Sequence, residues 1–214
     1  MYAPPAVSGA IVLFMLPRPT VELVRAEGNA FDLENRLTEA ALEELRAQFP
    51  RNTDIRQVLW KAAVLNSLYN AMVRNIDLET VAKHIVQLAN DKHLDQLLDQ
   101  GCLDAVFLIC GCSGLKDYIS FASKFCIWHN PDAYPIYDGN VRACLSAYGK
   151  QDGFAKFCQE DLYYYKKLVE IVRAFRNYYE LSCFNFKELD KFMYRSGGQI
   201  LKSRKGQESQ PPER

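Results

Sequence analysis

Beyond Thr20, apolar residues recur at intervals of three and four along almost the whole chain, and no run of alternating β-branched residues bounded by turn signals interrupts them. The chain is therefore expected to be all-α. Asp32 or Asn35 can cap a helix through ALEELRAQ, which Pro50 stops. Thr53 or Asp54 caps a longer one, IRQVLWKAAVLNSLYNAMVR, whose Ile55, Val58, Leu59, Ala62, Leu65 and Tyr69 share a face. This segment is apolar round most of its circumference, which places it at the centre. Asp77 opens LETVAKHIVQLA, HLDQLLDQG ends at Gly101, and CLDAVFLIC is a short buried helix. GCSG makes a tight turn, a helix runs from about Lys116 through DYISFASKFCIWH, and NPDAYP with its two prolines is a loop. Asp138 or Asn140 caps VRACLSAYG, which Gly149 and Gly153 close; DLYYYKKLVEIVRAFRNYYEL is one long helix, and Asn185 starts FKELDKFMYR.

The two ends lack this periodicity. Residues 1–20 form a lead-in whose apolar run AIVLFML is too short for a membrane span, which needs about 20 apolar residues. The preceding MYAPPAVSG carries no basic residue, so it is not a signal peptide either. Residues 196–214, rich in Gly, Lys, Gln and Pro, are expected to be a disordered basic tail. That leaves 21–195 as a single helical domain of two lobes. One lobe runs from about Leu78 to Gly149, and the other gathers the amino- and carboxy-terminal helices around a cleft.

A chain of 214 residues buries roughly 70% of its unfolded surface and needs no disulfide or metal to fold. Its seven cysteines are odd in number and sit mostly in apolar stretches, which suits thiols in a reducing compartment, so a cytoplasmic location is expected. Lys plus Arg equal Asp plus Glu at 26 each, so net charge points to no polyanionic partner. The distribution is uneven, however: Val21 to Pro50 is acidic, and the far end carries Lys187, Lys191, Arg195, Lys202, Arg204 and Lys205.

Chemistry concentrates in GCSGLKDYISFASKFCIWHNPDAYPIYDGNVR, residues 111–142. Asp138 follows the proline loop at the first turn of a helix, where an aspartate serves as an N-cap in any helical protein. Its company adds a functional reading. Lys116, Lys124, Trp128, His129, Tyr134 and Tyr137 lie within one helix and loop of it, enough amine, carboxylate and aromatic surface for a pocket holding a planar base.

PIYDGNVR resembles the segment of the helix-hairpin-helix DNA glycosylase superfamily in which a proline precedes an apolar residue, the catalytic aspartate, two polar residues and a valine. GCSGLKDY is similar to the family's hairpin and the start of the next helix, with Lys116 at the lysine position. A looser likeness to the 8-oxoguanine glycosylase branch, through Ser123-Lys124, supplies a second candidate lysine. The resemblance spans about residues 55–150. LNSLYNA looks like the helix whose polar end fills the gap left by an extruded base, which implies that role for Asn66 or Asn70. The departures are Gly111 and Gly114 standing two apart instead of one, a proline-to-aspartate spacing one residue longer, and no four-cysteine cluster motif. The resemblance implies a monomeric enzyme without cofactor or metal that excises a modified base from double-stranded DNA, in repair or in defence against phage DNA. Asp138 would stabilise the charge that builds on the sugar. It would also orient the attacking water, or Lys124 or Lys116 would attack instead and form a Schiff base, giving lyase activity; otherwise that lysine is a pocket and phosphate contact. Trp128, His129, Tyr134 and Tyr137 would receive the base, and Gly114, Asn140, Arg142 and Lys150 would contact DNA.

Each of these residues has a plainer reading. Trp128 competes as a core residue, and His129 at a helix end meets the helix dipole. Cys110, Cys112, Cys126 and His129 do not have the spacing of paired zinc-ligand elements. Tyr163, Tyr164 and Tyr165 point in three directions on a helix. The alternative function is a non-catalytic helical module binding nucleic acid or protein, in which Asp138 only caps. A concave cleft beside a lysine amine favours catalysis, and a filled core favours the module.

Overall fold

The computed structural model describes residues 15–112 and 118–208, the side chains of 205–208 excepted. Among these residues the secondary structure is helical throughout, with no strand. Helix α1 (Val21–Glu34) starts where the Thr20 hydroxyl accepts from the Leu23 amide, and α2 (Arg36–Gln48) follows directly. Asp54, not Thr53, caps α3 (Ile55–Leu68), taking the Arg56 and Gln57 amides at 2.9 and 3.1 Å. Then come α4 (Leu78–Asp91), α5 (Leu94–Asp99), α6 (Asp104–Cys110), α7 (Ile119–His129), α8 (Gly139–Asp152), α9 (Tyr165–Tyr178) and α10 (Phe186–Glu208). Gly101 and Gly153 take left-handed φ of +68° and +60° just past α5 and α8, which a β-carbon would oppose. The long helix expected from Asp161 breaks into a 3-10 turn at Glu160–Tyr163 followed by α9.

The centre of the molecule is α7, not α3. Every residue of α7 from Phe121 to Trp128 is buried, and α3, α5 and α6 pack round it. α3 instead leaves Trp60 and Leu68 in solvent. Each large side chain buried in this way contributes about 1.5–3 kcal/mol. One polar cluster is sealed in beside it: the Lys61 ammonium, itself fully buried, donates to the Arg51 carbonyl at 2.8 Å and to Asn52 Oδ1 at 2.9 Å. Asn52 Nδ2 in turn donates to Asp95 Oδ1 at 2.6 Å. Burial pulls Lys61 down to about 8, with Asp95 opposing.

The helices form two groups, but not the two expected. α3 to α7 pack among themselves, and α8 leaves them to lie along α10, which also carries α1; α2 lies between α1 and α3. The reason is a close approach. A β-carbon on Gly197 would sit 1.9 Å from the Asn140 carbonyl oxygen, so only glycine lets α10 reach the start of α8. The same contact corrects the disordered tail, since α10 continues to Glu208. Phe192, Met193, Gly197 and Ile200 keep one buried face along it. Residues 209–214 lie outside the described residues, as does most of AIVLFML. The end of the lead-in is tied to α8: the Leu16 amide donates to Gln151 Oε1 at 2.7 Å and Tyr148 donates to the Pro17 carbonyl at 2.9 Å.

Gly197→Ala is expected to destabilise the protein by about 1–3 kcal/mol, because the obstacle is backbone and cannot rotate away. Gly198→Ala, whose β-carbon would meet nothing nearer than 3.6 Å, is expected to be tolerated. Denaturant midpoints of the two variants check this.

Candidate functional site

Where the two groups of helices meet, a cavity of about 120 Å³ opens between α1, α2, the end of α3, α7, the loop before α8, and α10. Lys124 reaches into it from the buried α7. Its ammonium, on a side chain only 7% exposed, donates to the Tyr69 carbonyl at 3.0 Å and to Asp138 Oδ2 at 3.3 Å. The other carboxylate oxygen of Asp138 accepts the Asn140 amide at 2.8 Å and caps α8. Asp138 thus caps and holds an amine at once, so the two sequence readings of it are not alternatives. The loop that delivers it is fixed by the Tyr137 amide donating to Ser123 Oγ at 3.0 Å, one residue from Lys124.

A second carboxylate faces this pair. Asp190 on α10 lines the same cavity, and its Oδ1 is buried without a hydrogen-bond partner among the described residues. Burial first, then the Asp138 and Glu39 charges, push its carboxyl up to about 7, against the opposing pull of Lys124 and Lys187. Around the mouth, Lys187 pairs with Glu39 at 2.6 Å, and Tyr69 donates to the same glutamate at 2.8 Å. Phe31, Leu68, Ile127, Ile136 and Tyr194 supply the apolar walls.

A proton held by Asp190 has a consequence for stability. Because its folded value lies above the ordinary 3.8, the protonated native state is favoured, and that advantage, complete below about pH 4, is lost as pH rises through about 7. Wild type is expected to lose up to about 4 kcal/mol of this contribution between pH 4 and 8. Asp190→Asn should show a flatter pH profile in the same denaturation series.

The four residues expected to receive a base do not line this cavity. Trp128 is buried, with its indole N–H donating to the Leu42 carbonyl at 3.1 Å. Tyr134 is fully buried and donates to the Leu97 and Cys102 carbonyls, both at 3.0 Å. His129 stacks on Phe125 and stands 3.5 Å from Asn52 Nδ2, and burial together with Lys61 and Arg46 pulls it down to about 3, so it is neutral. The ring of Tyr137 lies under the Arg142 guanidinium. Of the two asparagines, only Asn70 reaches the cavity, whereas Asn66 clasps the Val73 N–H and carbonyl, both at 2.9 Å. That clasp pins a strained tip in which Asn70 and Met72 hold left-handed φ of 46° and 67°, with Met72 73% exposed.

Asn140 is taken up by the Gly197 contact and the cap. Arg142 and Lys150 lie together on the outer face of α8, in a groove with Arg204. Lys116 and Gly114 lie outside the described residues. Among those described, no group of three His, Cys, Asp or Glu is placed to hold a metal ion, and no helix is long and apolar enough to cross a membrane.

Comparison with known proteins adds kinship. A protein of Haemophilus influenzae described as uncharacterized is 35% identical over 153 residues, 70% of this chain and 71% of that one. No solved structure matches the chain. The HI_0787_N family, described as an N-terminal domain, matches residues 22–133, a span that holds α1 to α7 with Lys124 and stops short of Asp138. On that match and that relative together, the chain belongs to the HI_0787_N family.

Proposed function

We propose that the protein is a DNA glycosylase that takes a flipped, modified base into the cavity between α7 and α10 and releases it with Lys124 and Asp138. The observation that carries the reading is the nearly buried amine of Lys124 held 3.3 Å from the carboxylate of Asp138 at the wall of a concave site. A filled core there would have favoured a mere binding module. Phe31 and Tyr194 offer faces to a planar ring. Asp190, whose carboxyl burial pushes up to about 7, offers in its protonated form one donor and one acceptor to its edge. The strained tip at Asn70 and Met72 stands beside the cavity, where an asparagine and an exposed apolar side chain suit the gap that a flipped base leaves in the stack.

The chemistry follows from these positions. Lys124, once its ammonium has lost a proton to water, attacks the sugar C1′. The C1′–N bond breaks and its electron pair leaves with the base, which takes the proton of Asp190. The amine's next proton passes to Asp138, whose negative charge has meanwhile stabilised the cationic sugar. The amine's lone pair then forms the C1′=N bond of a Schiff base as the C1′–O4′ bond breaks, O4′ taking that proton back from Asp138, and from this Schiff base the strand is cut. Arg142, Lys150 and Arg204 in the groove along α8, with Lys202 close to Arg204 in the chain, supply sequence-independent phosphate contacts. The reading includes a monomer acting in the cytoplasm, on damaged DNA or on phage DNA with modified bases.

Incubation with duplexes carrying a panel of damaged and phage-type modified bases tests it: abasic sites or cut strands are expected for at least one base. Binding to duplex DNA is expected to weaken steeply as salt rises. A chain that shows no salt-dependent binding at low ionic strength is not a glycosylase of this kind.

A further inference from the structure

The outer face of α8 carries a second concavity, a groove of about 570 Å³ that starts at Gly139, the residue after Asp138. Arg142, Ser146 and Lys150 stand along it at intervals of four, one stripe of the helix, and Arg204 of α10 faces them. No carboxylate lines the groove, and no ion pair joins these three cations to a described carboxylate. The Arg142 guanidinium is held 4.6 Å from the centre of the Tyr137 ring and 4.7 Å from that of Tyr163. Two rings hold the guanidinium in place and no described carboxylate pairs with it, which leaves its N–H donors preset for an oxyanion. Ala143, Ala155, Phe157 and Leu201 make the lining apolar beside the Ser146–Gln159 hydrogen bond of 2.8 Å, and Gly149 lets the Phe157 ring lie so near α8 that a β-carbon would meet it at 2.6 Å. Tyr163, 56% exposed, stands at the edge.

Cations alone would suit any polyanion. A groove within the roughly 300–1,000 Å³ usual for ligand sites, with an exposed ring and an apolar floor added to a preset guanidinium, suits a planar base joined to a phosphate. We propose that this groove binds an unpaired nucleotide, its phosphate on Arg142, Lys150 and Arg204 and its base against Tyr163. A paired nucleotide keeps its base inside the duplex and cannot use the ring. Since Gly139 of the groove follows Asp138 of the cavity directly in the chain, the source that fits is a single-stranded stretch of DNA, with a free nucleotide offering the same chemistry. The site shares Arg142, Lys150 and Arg204 with the phosphate contacts of the glycosylase reading, but it needs neither Lys124 nor Asp138, and Tyr163 separates it from a duplex contact.

Fluorescence anisotropy with the full chain tests this, using a labelled ten-residue oligothymidylate, an undamaged duplex of equal length, and thymidine monophosphate as competitor. The single strand is expected to bind more tightly than the duplex. Tyr163→Ala and Arg142→Ala are each expected to weaken it about tenfold or more, with Tyr163→Phe restoring the loss. Tyr163 is exposed, so its variants should fold, which circular dichroism verifies. Displacement by the monophosphate identifies a free-nucleotide site, and displacement by the oligonucleotide alone identifies a strand site. Equal binding of duplex and single strand, or no change in Tyr163→Ala, overturns the proposal and leaves only a charged surface. Because no base is released in this assay, a chain inert on every modified base can still pass it, and an active glycosylase can fail it.

Discussion

Asp138→Asn is expected to lower base release by about two to three orders of magnitude while the chain stays folded. The side chain performs two tasks through separate oxygens. Oδ1 accepts the Asn140 amide at the head of α8, and the amide oxygen of asparagine, an equally good N-cap, keeps that bond. Oδ2 faces the Lys124 ammonium, and there the substitution removes the charge that would stabilise the cationic sugar. Some stability is lost too, about 1–3 kcal/mol, because an amine only 7% exposed keeps the Tyr69 carbonyl but loses its anion. Asp190 carries a second signature. The Asp138 charge helps to push its carboxyl up to about 7, so in the variant Asp190 should titrate lower. Abasic-site yield, the melting temperature and the pH dependence of stability are the three readouts. Full base release by Asp138→Asn on any base that wild type excises would sink the mechanism.

Asp138 was legible because its grammar is local: a proline loop, an acidic residue, then a helix of small and apolar residues. Lys124 was legible in part, since a lysine on the preceding helix returns to the same loop, although Lys116 qualified equally. Asp190 was not legible. On FKELDKFM, Phe186, Leu189, Phe192 and Met193 mark the apolar face and Asp190 stands at its margin between charged neighbours, so only the packing of α10 against the rest of the fold turns Asp190 toward Asp138. An acidic residue at the i−3 position of a buried methionine, Met193, was the faint signal available.

The aromatic residues went astray for the opposite reason. Trp128, His129, Tyr134 and Tyr137 are close to Asp138 in sequence, but proximity in sequence does not make them share its space. α7 is buried on every side, so it turns its rings into the core and delivers only Lys124 and Ile127 to the cavity. The rings that do line it, Phe31 and Tyr194, come from α1 and α10, near opposite ends of the chain, and meet edge to face at 6.0 Å between centres. The tail failed on composition. GGQILKSRKGQE looks like linker, yet its glycine at 197 lets α10 meet the head of α8 so closely that a β-carbon would sit 1.9 Å from the Asn140 carbonyl oxygen. That approach is what sets Asp190 opposite Asp138, so the misread tail and the missed carboxylate have one cause.

The largest expected effect belongs to Lys124. Borohydride added during reaction with a duplex containing an excised base should trap a covalent protein–DNA adduct, since it reduces the Schiff base to a stable amine. Lys124→Arg should abolish the adduct, and base release should fall by at least about two orders of magnitude. Arginine keeps the cation and can still donate to the Tyr69 carbonyl and to Asp138, but it stays protonated in any protein and cannot attack carbon. Lys124→Gln guards against a guanidinium too large for the cavity: it is shorter, neutral and equally unable to form the bond. Loss of the adduct in both variants, with circular dichroism showing each still folded despite the melting temperature that the broken Lys124–Asp138 pair costs Lys124→Gln, identifies Lys124 as the nucleophile. Undiminished adduct in either variant assigns the bond to another amine, Lys116 first among them. Base release by wild type with no adduct at all makes water the attacking group, and the 3.3 Å pair then serves to hold Asp138 in place beside the sugar.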